Sequence, residues 1–433
     1  MSDLVGGAAP EFATADDAFR GVVHDLLGAA HSYGAQQGAE KVQGSTYERL
    51  GYSALIENPL ARIVSGDDYG VDLKVAVARF VWMISGNNRL ADIAFYEPKV
   101  KMFTDDDIIV PGSSYGLRMR QAFPGVDQLR GIITRIKQDN ATRRAAISVY
   151  QPTDATRESK DIPCTFGLMF HARDGRLITQ TIMRSNNAWG LLPYNLFEFT
   201  LLAELVAAEC GLEPGPFLQY AGSMHLYERD VERARALIAA PAPAITFAMD
   251  AMPAQPAPLD EVGKLVAFEA DLRHGSSGIR ADTVGNWISR ARDDLHPYWQ
   301  QLALVLILAI VDRNQDHTAI DKVIELLPRE FRAALKVKTA PDAQALRTTA
   351  AAAPDLFASP ALTNVVPITR TALARRFREL AVEHEKQQGT SIGAGTLLQL
   401  QERFFDRIAA RGADDVISRN EFESALADLL RSR

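Results

Sequence analysis

The sequence predicts an α+β protein, in which a sheet flanked by helices extends to about residue 240 and helices alone follow. Phe166, Leu168 and Phe170 alternate with Gly167 and Met169, which is typical of a buried strand. A turn at residues 173–176 and a second apolar strand at 177–183 complete a hairpin. Beyond residue 263, apolar residues recur at helical spacing only, so the C-terminal region is predicted to be all-helical.

Helices and strands both occur before residue 240. Thr14 and Asp17 have the spacing of a capping box, and apolar residues follow at helical period. Gly86 and Gly211 are placed to end two further helices. The predicted helices are 19–30, 73–84, 126–137, 196–210 and 230–238, the predicted extended segments are 52–62, 145–150, 165–170, 177–183 and 222–227, and residues 34–46 are a predicted loop.

Changes of composition predict the domain boundaries. Residues 1–14 are predicted as a disordered tail, 15–240 as the main domain, 241–262 as an Ala/Pro-rich linker and 263–433 as a helical extension. Residues 410–421 resemble a calcium-binding loop, but Ala410 and Gly412 replace its first two carboxylates, which favours a helix–turn–helix packing unit. The helices predicted in the extension are 261–272, 283–292, 298–312, 318–336, 368–385 and 395–432.

Composition restricts the function. The net charge of −7 argues against extensive binding to nucleic acid or acidic membranes, but allows a small basic pocket for one phosphate. The longest apolar run, 302–311, is far shorter than the ~20 residues of a membrane span, and the N-terminus has no signal-peptide pattern. Two cysteines cannot build a disulfide framework, and Cys210 reads as a core residue of a helix. The expected location is therefore the reducing cytoplasm.

The region around Cys164 carries the chemical signal. Cys164 stands before a strand, and arginines and amides follow the hairpin, in the runs Pro163-Cys164, Arg184-Ser185-Asn186-Asn187 and Leu192-Pro193-Tyr194-Asn195. Singly, a Pro-Cys pair predicts a structural thiol and an arginine pair a solvated face. In this joint order the runs resemble the thymidylate synthase family and its hydroxymethylase relatives. The resemblance covers roughly residues 15–240 and implies a bent mixed sheet flanked by helices.

The resemblance implies a pyrimidine nucleotide site. Cys164 would add to carbon 6 of the base, since a thiolate near arginines is an activated nucleophile. Tyr115 would lie near this nucleophile, and Asn195 would read a uracil-type base. The remaining residues implied are Arg62, Arg143, Arg144, Arg184 and Ser185 on the phosphate, and His225 and Tyr227 on the sugar 3′-hydroxyl.

The same resemblance implies partners and a reaction. The arginine pair reaches into the partner subunit in the family, which implies a homodimer. The expected substrate is a nucleoside monophosphate similar to dUMP, and the expected carbon donor is 5,10-methylenetetrahydrofolate. Whether the product carries a methyl or a hydroxymethyl group, and whether the sugar is deoxyribose or ribose, stays open.

The departures from the family pattern concern the folate side. Arg79 stands where the family has a proton-relaying glutamate, three residues before Trp82. Asn187 stands where an aspartate binds the pterin, so we take it as the cofactor-binding candidate. Leu191 follows Gly190, in place of Leu-Gly. These replacements leave a second hypothesis open, namely a nucleotide-binding or regulatory protein that keeps the nucleotide pocket without folate chemistry.

Overall fold

A computed structural model of the chain describes residues 9–29, 32–34, 45–65, 69–240, 248–253 and 256–335. The predicted fold class is confirmed, because these residues form a mixed eight-stranded sheet flanked by helices, with further helices after residue 257. The helices predicted at 368–385 and 395–432, the segment 410–421 and most of the predicted N-terminal tail lie outside the described residues.

The elements are numbered in chain order. The strands are β1 (Glu11–Phe12), β2 (Ser32–Gly34), β3 (Ser45–Ile56), β4 (Ala146–Ser148), β5 (Thr165–Arg173), β6 (Arg176–Met183), β7 (Asn186–Asn187) and β8 (Glu213–Tyr227). The helices are α1 (Ala15–Leu27), α2 (Leu73–Ser85), α3 (Leu90–Ala94), α4 (Tyr115–Arg120), α5 (Gln128–Gln138), α6 (Leu192–Glu209), α7 (Val231–Ala239), α8 (Pro258–His274), α9 (Val284–Asp294), α10 (Pro297–Arg313), α11 (His317–Leu326) and α12 (Arg329–Ala334).

The sheet has the strand order β1-β3-β8-β6-β5-β4, with β2 paired to β3 and β7 paired to β8. The predicted hairpin is β5 and β6, which are antiparallel. The pairing of β6 with β8 is parallel, whereas that of β3 with β8 is antiparallel, so the sheet is mixed. The parallel pairing places Met183 at the end of β6 beside Ala221 of β8, and β7 continues it with Asn187 beside His225, near the end of β8. Residues far apart in the sequence therefore meet at one edge of the sheet.

Strand boundaries differ from the prediction where turn-forming residues interrupt the pattern. β8 begins at Glu213, nine residues before the predicted strand. The prediction missed its first half because Pro214, Gly215 and Pro216 are residues typical of turns rather than of strand interiors. β3 begins at Ser45, within the predicted loop. The prediction of a disordered tail over residues 1–14 is wrong for the last part of this range, because β1 (Glu11–Phe12) is an ordered strand that pairs in parallel with β3. The single helix predicted at 318–336 is instead α11 and α12, separated by Leu327 and Pro328.

The helix caps follow the sequence signals. The side chain of Thr14 accepts a hydrogen bond from the Asp17 backbone N–H and caps α1, as the capping-box spacing predicts. Gly86 ends α2 in the left-handed conformation, with φ of 73°. These caps fix the start of α1, which packs against the sheet, and the end of α2, which lies beside a cleft.

One face of the sheet is covered by helices. On β6, Thr179, Thr181 and Met183 are almost fully buried, whereas Gln180 and Ile182 on the opposite face are half-buried. α6 packs against β6 and β8 and is buried along nearly its whole length, which explains its continuous apolar sequence. α6 is therefore the central helix of the fold.

Helices after residue 257 share the core of the sheet domain. α8 and α10 both pack against α2. α10, which contains the longest apolar run of the sequence, is buried over most of its length. Over the described ranges, no helix is long and apolar enough to cross a bilayer. The predicted helical extension, as far as residue 335, is thus packed directly on the main domain.

A buried ion pair joins these helices to the core, and it involves Arg62. The Arg62 Nη2 atom lies 2.6 Å from Glu204 Oε2 on α6, with both side chains almost fully buried. Tyr298 on α10 donates to the same Glu204 oxygen at 2.7 Å, and the Met252 backbone N–H donates to Oε1 at 2.6 Å. Arg62 is therefore engaged inside the protein, where a buried charge requires a complete set of partners.

A second buried carboxyl lies in the first turn of α1. Asp16 is 1% exposed, and its carboxyl accepts a long hydrogen bond from the Ser65 backbone N–H, at 3.4 Å. Burial raises the pKa of Asp16 to about 6. Because the folded state favours the protonated form, Asp16 stabilises the protein fully below its unfolded pKa, and this stabilisation is lost as the pH rises through about 6.

Asp16→Asn should therefore become more stable relative to the wild type as the pH rises. An amide keeps the acceptor for Ser65 but cannot ionise. We expect the difference in free energy of unfolding to grow by about 1 kcal/mol between pH 5 and pH 8, and to be flat above pH 7. Urea titration of both proteins at each pH measures it. A difference that is constant or falls with pH would contradict the assignment.

Candidate active site

A cleft of about 1590 Å³ lies between α2, α6 and the ends of β6 and β8. Its lining brings together many of the residues singled out from the sequence. Six of the predicted site residues and Arg79 line it, although they come from distant parts of the chain. These residues are Tyr115, Cys164, Arg184, Asn187, Asn195, Tyr227 and Arg79.

Cys164 precedes β5 and is half-buried in this cleft. Arg184 Nη2 lies 3.8 Å from the Cys164 sulfur. The same guanidinium donates through Nε to Pro163 O at 3.0 Å and through Nη2 to Ile162 O at 2.9 Å, so its position is fixed by the strand that carries the cysteine. A fixed guanidinium beside a sulfur favours the thiolate, which is the nucleophilic form.

The loop that precedes α4 positions both Tyr115 and the cysteine strand. The buried Asp161 carboxylate accepts hydrogen bonds from the backbone N–H groups of Gly112 at 2.7 Å and Ser113 at 2.6 Å. Tyr115 stacks on Phe199 of α6, with ring centroids 6.0 Å apart. Burial, with the charge of Cys164 adding to it, raises the pKa of Tyr115 above its ordinary value. Tyr115 is therefore a neutral hydroxyl near the sulfur.

Asn195 is held by a row of buried amides. Its Oδ1 accepts a hydrogen bond from Asn186 Nδ2 at 2.9 Å, and Asn186 Oδ1 accepts one from Gln219 Nε2 at 3.2 Å. All three side chains are buried. Because the row fixes the Asn195 carbonyl as an acceptor, the amide N–H groups of Asn195 remain to donate to a ligand. Sequence reasoning missed the roles of Asn186 and Gln219, which lie on β7 and β8.

His225 and Tyr227, the two residues predicted for the sugar hydroxyl, lie at the end of β8. Their rings meet edge to face with centroids 5.1 Å apart, and Ser185 Oγ is 3.4 Å from His225 Nδ1. The Arg229 guanidinium lies over the Tyr227 ring at 5.1 Å. Ser185, His225 and Tyr227 thus form one polar group at the edge of the cleft, next to Arg184.

Arg79 is the centre of an ion cluster on one wall of the cleft. Arg79 Nε lies 2.5 Å from Glu198 Oε1, and Arg79 Nη1 lies 3.0 Å from Glu97 Oε2. The Tyr194 ring packs on the guanidinium at 5.4 Å. Glu198 is almost fully buried, and burial raises the pKa of its carboxyl while Arg79 acts in the opposite direction. Sequence reasoning identified Arg79 but missed both carboxylates.

The far wall of the cleft is apolar and aromatic, and C-terminal helices support it. Tyr96 on this wall donates to Glu269 Oε1 of α8 at 2.9 Å. Arg273 of α8 pairs with the same Glu269 oxygen at 2.8 Å and with Asp92 at 2.9 Å. The residues of this wall are Trp82, Ile93, Tyr96, Val100, Met102 and Phe103, with Lys99 and Lys160 also in the lining.

Of the predicted residues not yet described, Asn187 lies in the cleft, whereas Arg62, Arg143 and Arg144 do not. Asn187 lines the cleft, and its Oδ1 accepts hydrogen bonds from the backbone N–H groups of Trp189 at 3.1 Å and Gly190 at 3.0 Å. Arg143 and Arg144 are exposed between α5 and β4 and line a separate pocket of about 490 Å³. Arg62 is absent from the lining formed by the described residues, because Glu204 and Tyr298 hold it in the interior.

Comparison with known proteins agrees with this geometry. The model of the thymidylate synthase family matches residues 69–257. The deoxyuridylate hydroxymethyltransferase of Pseudomonas phage M6 is 35% identical over 151 residues, which are 34% of this chain and 42% of the phage protein. The protein of the same name from Bacillus phage SP01 is 29% identical over 186 residues, 40% of this chain and 48% of that protein. The chain thus spans less than half the length of these two relatives.

A third relative is matched over most of its length. The putative thymidylate synthase of Methanothermobacter marburgensis is 32% identical over 198 residues, which are 45% of this chain and 83% of that protein. A similarity of this extent, together with the family model over residues 69–257, shows that the chain belongs to the thymidylate synthase family.

Proposed function

We propose that the protein transfers a one-carbon unit, methyl or hydroxymethyl, to carbon 5 of a dUMP-like pyrimidine nucleotide, through a covalent adduct with Cys164. The observation that carries the proposal is the meeting of three groups in one cleft. The Cys164 sulfur has the Arg184 guanidinium beside it, and Asn195 is fixed as a base-reading amide in the same lining. The names of the two phage relatives specify deoxyuridylate.

The chemistry begins at carbon 6. Carbon 5 of a pyrimidine is a weak nucleophile until a thiolate adds to carbon 6, which moves an electron pair through the ring to the oxygen at position 4. Carbon 5 of this enolate then forms the new carbon–carbon bond. Loss of the carbon-5 proton and expulsion of the Cys164 thiolate restore the ring. Arg184 stabilises the thiolate at the start and at the end of this sequence.

Substrate recognition follows from the other polar groups. Asn195 N–H groups donate to the oxygen at position 4, and the Asn195 carbonyl accepts from the ring N–H, a pattern that fits uracil. Arg184 and Ser185 contact the phosphate, since a guanidinium binds phosphate oxygens in pairs. His225 and Tyr227 hold the sugar hydroxyl. Arg62 has no part in this proposal because Glu204 and Tyr298 occupy its guanidinium.

The site is completed by a second copy of the chain. The sheet face opposite α6 carries Met169, Ile182, Leu218 and Tyr220, which are adjacent through the strand register and partly exposed among the described residues. An apolar sheet face of this kind is suited to a twofold contact. Arg143 and Arg144, exposed beyond β4, are the residues expected to reach the phosphate in the partner's cleft.

The carbon donor proposed is 5,10-methylenetetrahydrofolate, which supplies the one-carbon unit when it is bound. The far wall of the cleft fits its flat rings, because Trp82, Tyr96 and Phe103 present aromatic surfaces there. Lys99 and Lys160 in the lining suit the carboxylates of its glutamate portion. Asn187 keeps an amide N–H to offer, since its Oδ1 caps the turn at residues 189 and 190.

Release of tritium from a 5-tritiated dUMP tests the reaction directly. The wild type should release tritium with the folate donor present, because any substitution at carbon 5 expels the hydrogen. Cys164→Ser should bind the nucleotide within about threefold of the wild type, measured by calorimetry, but release less than about a thousandth as fast. Cys210→Ser, the matched control outside the cleft, should keep the wild-type rate. Tight binding without release in the wild type would favour the nucleotide-binding hypothesis.

Subunit complementation tests the shared site. Cys164→Ser and an Arg143→Ala/Arg144→Ala variant should each be inactive alone. After unfolding together and refolding, mixed dimers contain one site with an intact cysteine and intact arginines, so roughly a quarter of the wild-type activity should return. Sedimentation should give a dimer at micromolar concentration. A monomer with full nucleotide affinity, or no recovery in mixed dimers, would contradict the proposal.

A further inference from the structure

The carbon-5 chemistry requires a group that moves a proton at the base, and the lining of the cleft offers several carboxyls. Asp161 is occupied by the backbone N–H groups of Gly112 and Ser113 and by the Ser113 hydroxyl. Asp72 caps α2 and is paired with Lys74. Both of these carboxylates have structural partners that account for them.

Three further carboxyls lie at the margins of the cleft. Glu158 is exposed. Asp230 contacts two arginines, Arg229 and Arg233, at the end of β8. Glu97 lies on the segment before the aromatic wall and contacts the outer side of Arg79. Glu158 is exposed, Asp230 is held by two arginines, and the Glu97 side chain is 21% exposed, so these three are poorer candidates for proton transfer at a buried ring.

Glu198 differs from all of these. It is 3% exposed and lies on α6 three residues after Asn195, so both side chains are on the same face of the helix and both line the cleft. The residue that reads the base and this carboxyl are therefore neighbours one helical turn apart. Burial of a carboxyl beside a bound ring favours its protonated form, which makes proton exchange near neutral pH accessible.

Arg79 fixes this carboxyl without neutralising the cluster. One guanidinium serves two carboxylates, Glu198 at 2.5 Å and Glu97 at 3.0 Å, which leaves one negative charge in excess. Burial raises the pKa of the Glu198 carboxyl, and the neighbouring charge of Glu97 acts in the same direction. The Tyr194 ring also packs on the guanidinium, at 5.4 Å from its centroid.

We propose that Glu198 is the acid–base residue for carbon 5 and that Arg79 is its positioning residue, an inference that rests on the proposed function. Once Cys164 has added to carbon 6, a proton from solvent adds to one face of carbon 5 of the enolate. The Glu198 carboxylate then removes the original carbon-5 hydrogen as a proton from the other face, the Cys164 thiolate leaves, and Glu198 returns its proton to solvent. Without a carbon donor this cycle exchanges the carbon-5 hydrogen with solvent, and protons balance.

Tritium exchange from 5-tritiated dUMP in the absence of folate tests the inference, with nucleotide affinity measured in parallel by calorimetry. Glu198→Gln should lower the exchange rate ~10²- to 10⁴-fold and keep the affinity within about threefold. Glu209→Gln, the same change at the end of the same helix, should exchange at the wild-type rate. Glu198→Asp, which keeps a carboxyl if the amide variant fails to fold, should retain more exchange than Glu198→Gln.

The pH profile separates a proton-transfer role from a structural one. In the wild type, the tritium exchange rate should change with pH as Glu198 ionises, and this change should be absent in Glu198→Gln. In Arg79→Gln it should move to higher pH, because loss of the guanidinium raises the Glu198 pKa. If folded Glu198→Gln exchanges tritium as fast as the wild type, the assignment of Glu198 is wrong, but the proposed function is not affected. The same holds if the pH dependence of exchange in Arg79→Gln equals that of the wild type. No exchange by wild type with bound nucleotide, with or without the donor, would overturn the proposed function as well.

Discussion

The contact of Arg79 with Glu198 and Glu97 is the constraint on which the cleft depends. It joins α2, the central helix α6 and the segment before the aromatic wall, three parts of the chain that share no secondary structure. A cation placed in the interior needs complete pairing, and removing one partner of such a cluster is costly. The positions of these three walls are therefore coupled, and this cluster helps to fix the width of the cleft in which the nucleotide is proposed to bind.

The C-terminal helices use the same principle at a distance from the chemistry. Glu204 of α6 binds both Arg62 and Tyr298 of α10, while Glu269 of α8 binds Tyr96 on the aromatic wall. The helical region is thus attached to the core by buried polar contacts as well as by apolar packing. It supports one wall of the cleft, which gives this part of the chain a role in shaping the proposed cofactor side of the site.

The fold class and most of the residues lining the cleft could be predicted from the sequence, because the motifs lie on elements that are close together in the chain. Cys164 and Arg184 flank one hairpin, and Asn195 opens the helix that follows, so pattern and resemblance located them together. The carboxylates that pair with Arg79 and Arg62 could not be predicted in this way. Glu198 meets Arg79 across 119 residues, and Arg62 meets Glu204 across 142, and such pairs depend on how helices pack. That is why Arg62 was assigned to the phosphate and Glu198 was overlooked.

Intact-mass spectrometry with a 5-fluoro analogue of dUMP measures the central claim most directly. Fluorine cannot leave carbon 5 as a cation, so a Cys164 adduct that has formed its new carbon–carbon bond is trapped. The account predicts that the wild type, given the analogue and the folate donor, gains the mass of both, that Cys164→Ser gains neither, and that Cys210→Ser behaves as the wild type. A protein that binds the analogue tightly but never gains this mass would contradict the account.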